Sequence, residues 1–385
     1  MNVLFVQRQP CIRALKYAEG SRAAHRDIRL SFAYQNSTLN ELYGHGDECF
    51  AEWFRLGPEP AASLQEIVAT REIDVIHCHN GPDTLTNLCI DLFRDQIPIV
   101  HDVHDLMSAR ETAYDDVREP THADGGRNAP NRHLAPQVWR EEEQRAMELS
   151  DAVIAVSDEI LEVAQRRGYK LPPLAETYAN YIPERFIPTE LPEAETDDDT
   201  GPPRVVYEGS LKTDGGHYDL REIFQALARE GLEVHIYPSR DDPAYAALAR
   251  TSPGIVYHEH VAPEQLYREL PRYDVGWAGF NDALNIAHLE TVLPNKLFEY
   301  IACGLPVVSF RHRALASFIT THSVGLVVDD VRGLGKALRG PEMASLRAKA
   351  RAQRREFTVE ANIGRIVSIY ERLAVAQAEP KPSGA

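Results

Sequence analysis

No stretch of about eighteen apolar residues occurs in this 385-residue chain, so it offers no transmembrane helix. Its opening, Met1-Asn2-Val3-Leu4-Phe5-Val6, lacks a charged leader and a long apolar core, so no secretory signal is expected. Cysteine is scarce. Cys11, Cys49, Cys78, Cys89 and Cys303 are odd in number, scattered and without a CxxC pair, which fits a reducing, cytoplasmic compartment and no structural zinc site. Positive charge is short as well: 41 Lys and Arg stand against 58 Asp and Glu, a net charge of −17. That balance argues against a general nucleic-acid-binding or anionic-membrane surface. The first loop, Gln7-Arg8-Gln9-Pro10, has no glycine, so the dinucleotide fingerprint GxGxxG is excluded there. No internal repeat at solenoid periods is present.

What the chain does have is length for two domains, with apolar and charged fractions of 43% and 26% that are globular values. Strand-like and helix-like stretches alternate. Asn2–Val6 is apolar from the start. Ile73-Asp74-Val75-Ile76-His77-Cys78-His79 ends at the turn pair Asn80-Gly81, and Ile97 to Val103 runs into His104-Asp105. His77 and His79 share a face of their strand, and without a nearby thiolate or carboxylate they read as packed or hydrogen-bonded side chains ahead of a metal pair. Open α/β sheets take ligands at the carboxyl ends of their strands, which puts His104 and Asp105 at a ligand edge. Arg13 and Lys16, on a helix after the first loop, read as solvated positions ahead of residues facing an anionic acceptor.

Residues 110–134 are polar and rich in Pro and Gly, as in a long lid-like loop. Residues 191–203 carry Glu193, Glu195, Asp197, Asp198 and Asp199 between prolines, a linker composition. A second alternating run opens at Arg204. Its loop Gly209-Ser210-Leu211-Lys212-Thr213-Asp214-Gly215-Gly216 precedes a helix starting near Asp219, and free amides at such a turn suit a diphosphate. Arg347, Lys349, Arg351, Arg354 and Arg355 read as a solvated face, with a peripheral membrane contact as the alternative. Ile363, Ile366, Val367 and Tyr370 mark a final amphipathic helix.

The most informative stretch is LPNKLFEYIACGLPVVSF, residues 293–310. Pro294 suits a helix start, Gly304 and Pro306 stop that helix, and residues 306–310 make a compact apolar strand. On a helical wheel Asn295, Lys296, Glu299 and Cys303 fall opposite Leu297, Phe298, Tyr300 and Ile301. This polar face reads equally as a solvated face or as a ligand surface. Lys296 lies in the first turn, where the helix dipole disfavours a cation and a bound anion would compensate it.

The string PNKLFEYIACGLPVVS resembles the signature of retaining glycosyltransferases of the two-domain GT-B type, close to family 4. DVIHCHN and LSDAVIAVS are similar to further strand-end strings of the same family. The resemblance implies an α/β GT-B fold, two Rossmann-like doubly wound domains facing across a cleft. The domains expected are 1–187 for the acceptor, a linker at 188–203 and 204–357 for the nucleotide sugar, with a helix at about 358–376 crossing back. It implies a hexosyl group moved with retention from a nucleoside-diphosphate sugar to an unidentified acceptor, with no cofactor and no metal. By the same resemblance Glu299 holds the ribose, Gly209, Lys212 and Lys296 surround the diphosphate with Asn295 on the same helix face, and His104 lies beside the transferred sugar. Three departures stand out: the glycine-poor first loop, Ser210 where the family places an Arg, and Thr291 where it places a Glu. They keep three alternatives open: a sugar-nucleotide epimerase, a pseudo-glycosyltransferase and a catalytically silent nucleotide-sugar binder.

Overall fold

The computed structural model describes residues 1–25, 27–110, 136–192 and 201–378. The lid-like stretch from 111 to 134 and the acidic run 193–199 lie outside them. The chain divides into two compact units. One is Met1–Ala179 together with Val359–Ala385, and the other is Asn180–Thr358. Residues 180–192, read from the sequence as domain end and linker, thus pack within the second unit.

Among the described residues the first unit holds one parallel sheet of seven strands. They are β1 (Asn2–Val6), β2 (Arg29–Tyr34), β3 (Glu52–Arg55), β4 (Val75–His79), β5 (Ile99–Val103), β6 (Ala152–Ala155) and β7 (Leu174–Thr177), in the order β3-β2-β1-β4-β5-β6-β7. β1, β4 and β5 are buried along almost their whole length, which is why they read as apolar runs without alternation. The order turns back at β1 and β4, and such a switch point opens a crevice at the carboxyl ends of those two strands. The period of two then sorts the polar residues. His79 pairs in register with Asp102, so His77, His79, Asp102 and His104 share one face; Cys78 pairs with His101 on the other.

On the first of these faces lie the opening helix Ile12–Ala24 and the closing helix Val359–Ala378. They meet at Gly20, where a Cβ would lie 2.4 Å from a methyl of Val359, so only glycine allows the approach. Ile363, Ile366, Val367 and Tyr370 of the closing helix are all buried. On the opposite face Leu4, Val6, Ile76 and Cys78 pack against Leu85, Cys89 and Ile90 of the helix Thr84–Phe93.

The second unit repeats the plan with six parallel strands: β8 (Arg204–Gly209), β9 (Glu233–Pro238), β10 (Ile255–Tyr257), β11 (Val275–Trp277), β12 (Val307–Phe310) and β13 (Gly325–Val328), in the order β10-β9-β8-β11-β12-β13. This is the doubly wound order with its switch point between β8 and β11. Val205, Tyr207, Val234, Ile236, Val275, Trp277 and Val308 form the sheet side of its core. The helix Asn295–Ala302 leads into β12, and Gly304 ends it with a φ of 74°. Pro294 is its cap residue and not its first helical position. No helix among the described residues is long and apolar enough to cross a membrane.

Candidate functional site

Each unit carries polar side chains at its own switch point. In the second unit β8 ends at Gly209, whose φ of 126° is open to glycine and costly for other residues. A Cβ at Gly209 would sit 3.3 Å from the Nζ of Lys296. Lys296 is buried. Its Nζ donates to the Tyr207 hydroxyl at 3.2 Å, lies 4.2 Å from the centre of that ring and 5.6 Å from that of Phe280. Burial lowers its pKa to about 8, against the opposing pull of Glu208 and Glu299. A buried ammonium with a π-face beneath it and a glycine turn in front is suited to an anionic group that reaches the turn.

Glu299 lies one turn along the same helix. Burial, and after it Glu299 and Glu208, push the Tyr267 hydroxyl up, and Tyr267 is hydrogen-bonded to Glu299. Asn295 is the first residue of the helix and half-buried. Lys212 points elsewhere: it is half-exposed with its Nζ 3.9 Å from Asp214, while its carbonyl accepts from Tyr245 at 2.9 Å. Cys303 is not on the polar face; it is buried and donates to the carbonyl of Tyr267. Thr291 is buried as well, its hydroxyl donating to His288 one turn back at 2.8 Å, so it faces its own turn.

In the first unit His104 follows β5, held by its N–H donating to the Asn80 side chain at 2.9 Å. Its Nε2 is 3.1 Å from Nδ1 of His79 and 3.3 Å from Asp102, and its Nδ1 is 3.8 Å from the Cys11 sulfur. Asp102 is wholly buried. Arg13 donates to it at 2.9 Å, Tyr17 at 2.6 Å, and His77 lies at 3.3 Å with its other nitrogen 2.6 Å from the Tyr370 hydroxyl. Burial works against the Asp102 carboxylate, but Arg13 and then His104 and His77 hold it well below the usual range. Burial likewise opposes the His104 charge and is outweighed by Cys11 and Asp102, which push it up to about 10. Cys11 is drawn below an ordinary thiol because His104 outweighs its burial. Each of the two thus favours the charged form of the other, while burial, and after it His77, holds His79 well below the usual histidine range.

This network corrects two sequence expectations. Arg13 and Lys16 are buried and not solvated, because Asp102 and the carbonyls of Tyr178 and Ala179 take the Arg13 guanidinium. The pair His77 and His79 does have a carboxylate and a thiolate near it. Cys11, His79 and His104, and also His77, His79 and Asp102, are close enough to share an ion. Charge within both sets is already matched, so an ion would have to displace the Arg13 contact or the His104 proton.

Residues 38–174 match the Glycosyltransferase Family 4 model, and residues 215–368 match the Glycosyl transferase-like model. No curated protein matches in sequence. Among solved structures the chain is similar to sucrose-phosphate synthase from Thermosynechococcus elongatus, at a TM-score of 0.65 and 15% identity, covering 98% of this chain and 100% of that one. It is similar to HepE of Anabaena, solved with UDP, at 0.68 and 14%, covering 97% and 100%. A glycosyltransferase from Rickettsia africae aligns at 0.66 and 10%, covering 97% and 98%. The fold is GT-B, and the matches together support a glycosyltransferase of the family 4 kind.

The structure brings Gly209, Lys296 and Glu299 into one locus of the second unit, and leaves Lys212 turned toward Asp214. Sequence reasoning missed Tyr207 and Glu208 around Lys296, Tyr267 beside Glu299, and Cys11, Arg13 and Tyr17 around Asp102 and His104. The only signal for Tyr207 and Glu208 was their place on the strand feeding the glycine turn; Tyr267 comes from a separate helix, Pro263–Glu269, and the others lie 85 to 93 residues from their partners.

Proposed function

We propose that the chain is a retaining glycosyltransferase that moves a hexosyl group from a nucleoside-diphosphate sugar to an acceptor without a metal ion. The single observation that carries this reading is Lys296, desolvated at the Gly209 turn. Uridine is the base proposed, because HepE was solved with UDP and with UDP-glucose. Glu299 would accept from the ribose hydroxyls. As the bond from sugar C1 to the diphosphate breaks and one to the acceptor oxygen forms, negative charge develops on the leaving diphosphate, which takes up the proton that the acceptor hydroxyl loses. Lys296 and the amides after Gly209 would stabilise it there, where a fixed charge in a dry site is strongest. His104, kept as an imidazolium by Asp102 and Cys11, would donate a hydrogen bond to the transferred sugar.

The test is calorimetry with UDP and turnover of UDP-glucose in EDTA, with the anomeric configuration of the product read by NMR. UDP binding, turnover in chelator and an α-linked product support the proposal. Activity that returns only with magnesium or manganese rejects the metal-free step, and a β-linked product rejects retention.

A further inference from the structure

The carboxyl ends of β1 to β4 surround a cavity of about 810 Å³ in the first unit. Arg8, in the loop after β1, Asn36, in the loop after β2, and Arg55, closing β3, give it polar lining. Leu56, Leu85 and Leu88 give it apolar lining. The Arg8 loop is tied to the next one, its carbonyl accepting from the N–H groups of Gln35 and Asn36 at 3.0 and 3.1 Å.

The two arginines differ from the paired ones of this unit. Arg13, Arg29, Arg71, Arg145 and Arg167 each find a carboxylate, as expected where acidic residues outnumber basic ones by 58 to 41. Arg8 and Arg55 have no hydrogen bond or ion pair from their side chains to any described residue, yet they line one cavity. Arg8 is also partly desolvated, and that burial lowers its pKa with no carboxylate to oppose it. The Nδ2 of Asn36 is a third donor, buried without a partner among the described residues. Burying one donor and partly desolvating a cation without acceptors costs free energy that an incoming anion returns.

We infer that this cavity binds the acceptor through a phosphate group, with an apolar portion of the acceptor against Leu56, Leu85 and Leu88. Two guanidinium forks match the charge of a phosphate monoester dianion and, with Asn36, supply donors for its three terminal oxygens. A carboxylate would leave donors unused. Calling the ligand an acceptor rests on the transferase reading; the anion site does not.

The experiment titrates the full chain with hexyl phosphate, glycerol phosphate and the neutral hexyl glucoside by calorimetry, and with UDP in the same series. Hexyl phosphate should bind and hexyl glucoside should not. Arg8→Ala and Arg55→Ala should each weaken hexyl phosphate about tenfold or more, as loss of a charge-assisted contact does. Both variants should keep wild-type UDP affinity, and an unchanged thermal transition of the first unit certifies the fold around the cavity; Arg55 is exposed, so its side chain is no part of the core. Equal affinity for glycerol phosphate points to a soluble phosphate ester, and preference for hexyl phosphate to a lipid phosphate. If UDP binds and hexyl phosphate does not, or binds unchanged in both variants, the inference is overturned while the transferase reading stands. If hexyl phosphate binds and UDP does not, the anion site stands and its role as acceptor site falls.

Discussion

Lys296 is the residue whose ionisation should be felt in solution. An ordinary lysine titrates near 10.5, and burial brings this one to about 8. A diphosphate beside it favours the charged form, so above pH 8 binding must take up a proton. UDP affinity is expected to fall by up to tenfold per pH unit above 8, and calorimetry in buffers of different ionisation enthalpy at pH 8.5 should register the uptake. Fold stability moves the other way. Between pH 8 and 10.5 the unfolded chain binds more protons at this site than the folded one, so this group's contribution to stability rises with pH across that window. In Lys296→Met both dependences should vanish and UDP should weaken about tenfold or more. A pH profile unchanged by that substitution would remove Lys296 from the binding site. Lys296 and Glu299 were legible because they sit in one contiguous string of recognisable pattern. The Asp102 network was not, because a buried carboxylate is settled by partners brought from the opening helix and from the closing one.

At the scale of elements, glycines decide how closely helices lie on the sheets. A Cβ at Gly276 in β11 would fall 2.2 Å from the ring of Tyr300, whose hydroxyl accepts from the Glu208 N–H and donates to the Trp277 carbonyl. Tyr300 thereby fixes the helix that carries Lys296 and Glu299. Gly276→Ala should cost about 1–3 kcal/mol in denaturant unfolding, as overpacking does, and also weaken UDP. Gly20→Ala in the first unit should cost a similar amount and leave UDP affinity alone. Equal effects of the two on UDP would show that the helix position does not matter to the site. The alternation of strand and helix was readable because buried parallel strands are short, apolar and bounded by turns. The helix 359–378 was readable from its apolar spacing. Neither close approach was, since a glycine in a sequence does not show what leans on it.

At the scale of the molecule, two units with separate cores should not unfold as one. Two thermal transitions are expected, and saturating UDP should raise only the one belonging to residues 180–358, because a ligand stabilises what it binds. The Lys296→Met variant should abolish that shift and leave the other transition in place. A single transition moved as a whole by UDP would contradict independent units. The presence of two α/β units was legible from length and repetition of pattern. Their limits were not, because residues 180–192, which read as the end of the first domain and the start of the linker, pack with the second unit.

The first unit is assembled from chain segments on either side of the second. On a ribosome this sets an order of events. Residues 1–179 emerge first, yet the face of the opening helix that receives Val359 and Ile363 has nothing to cover it until some 200 further residues have been made. At translation rates of about 5–20 residues per second that is roughly 10–40 s with an apolar seam open to water. The contiguous second unit can finish within that interval. Nascent chains stalled before residue 359 should therefore recruit a holdase chaperone to the opening helix, and release it once the closing helix has left the exit tunnel.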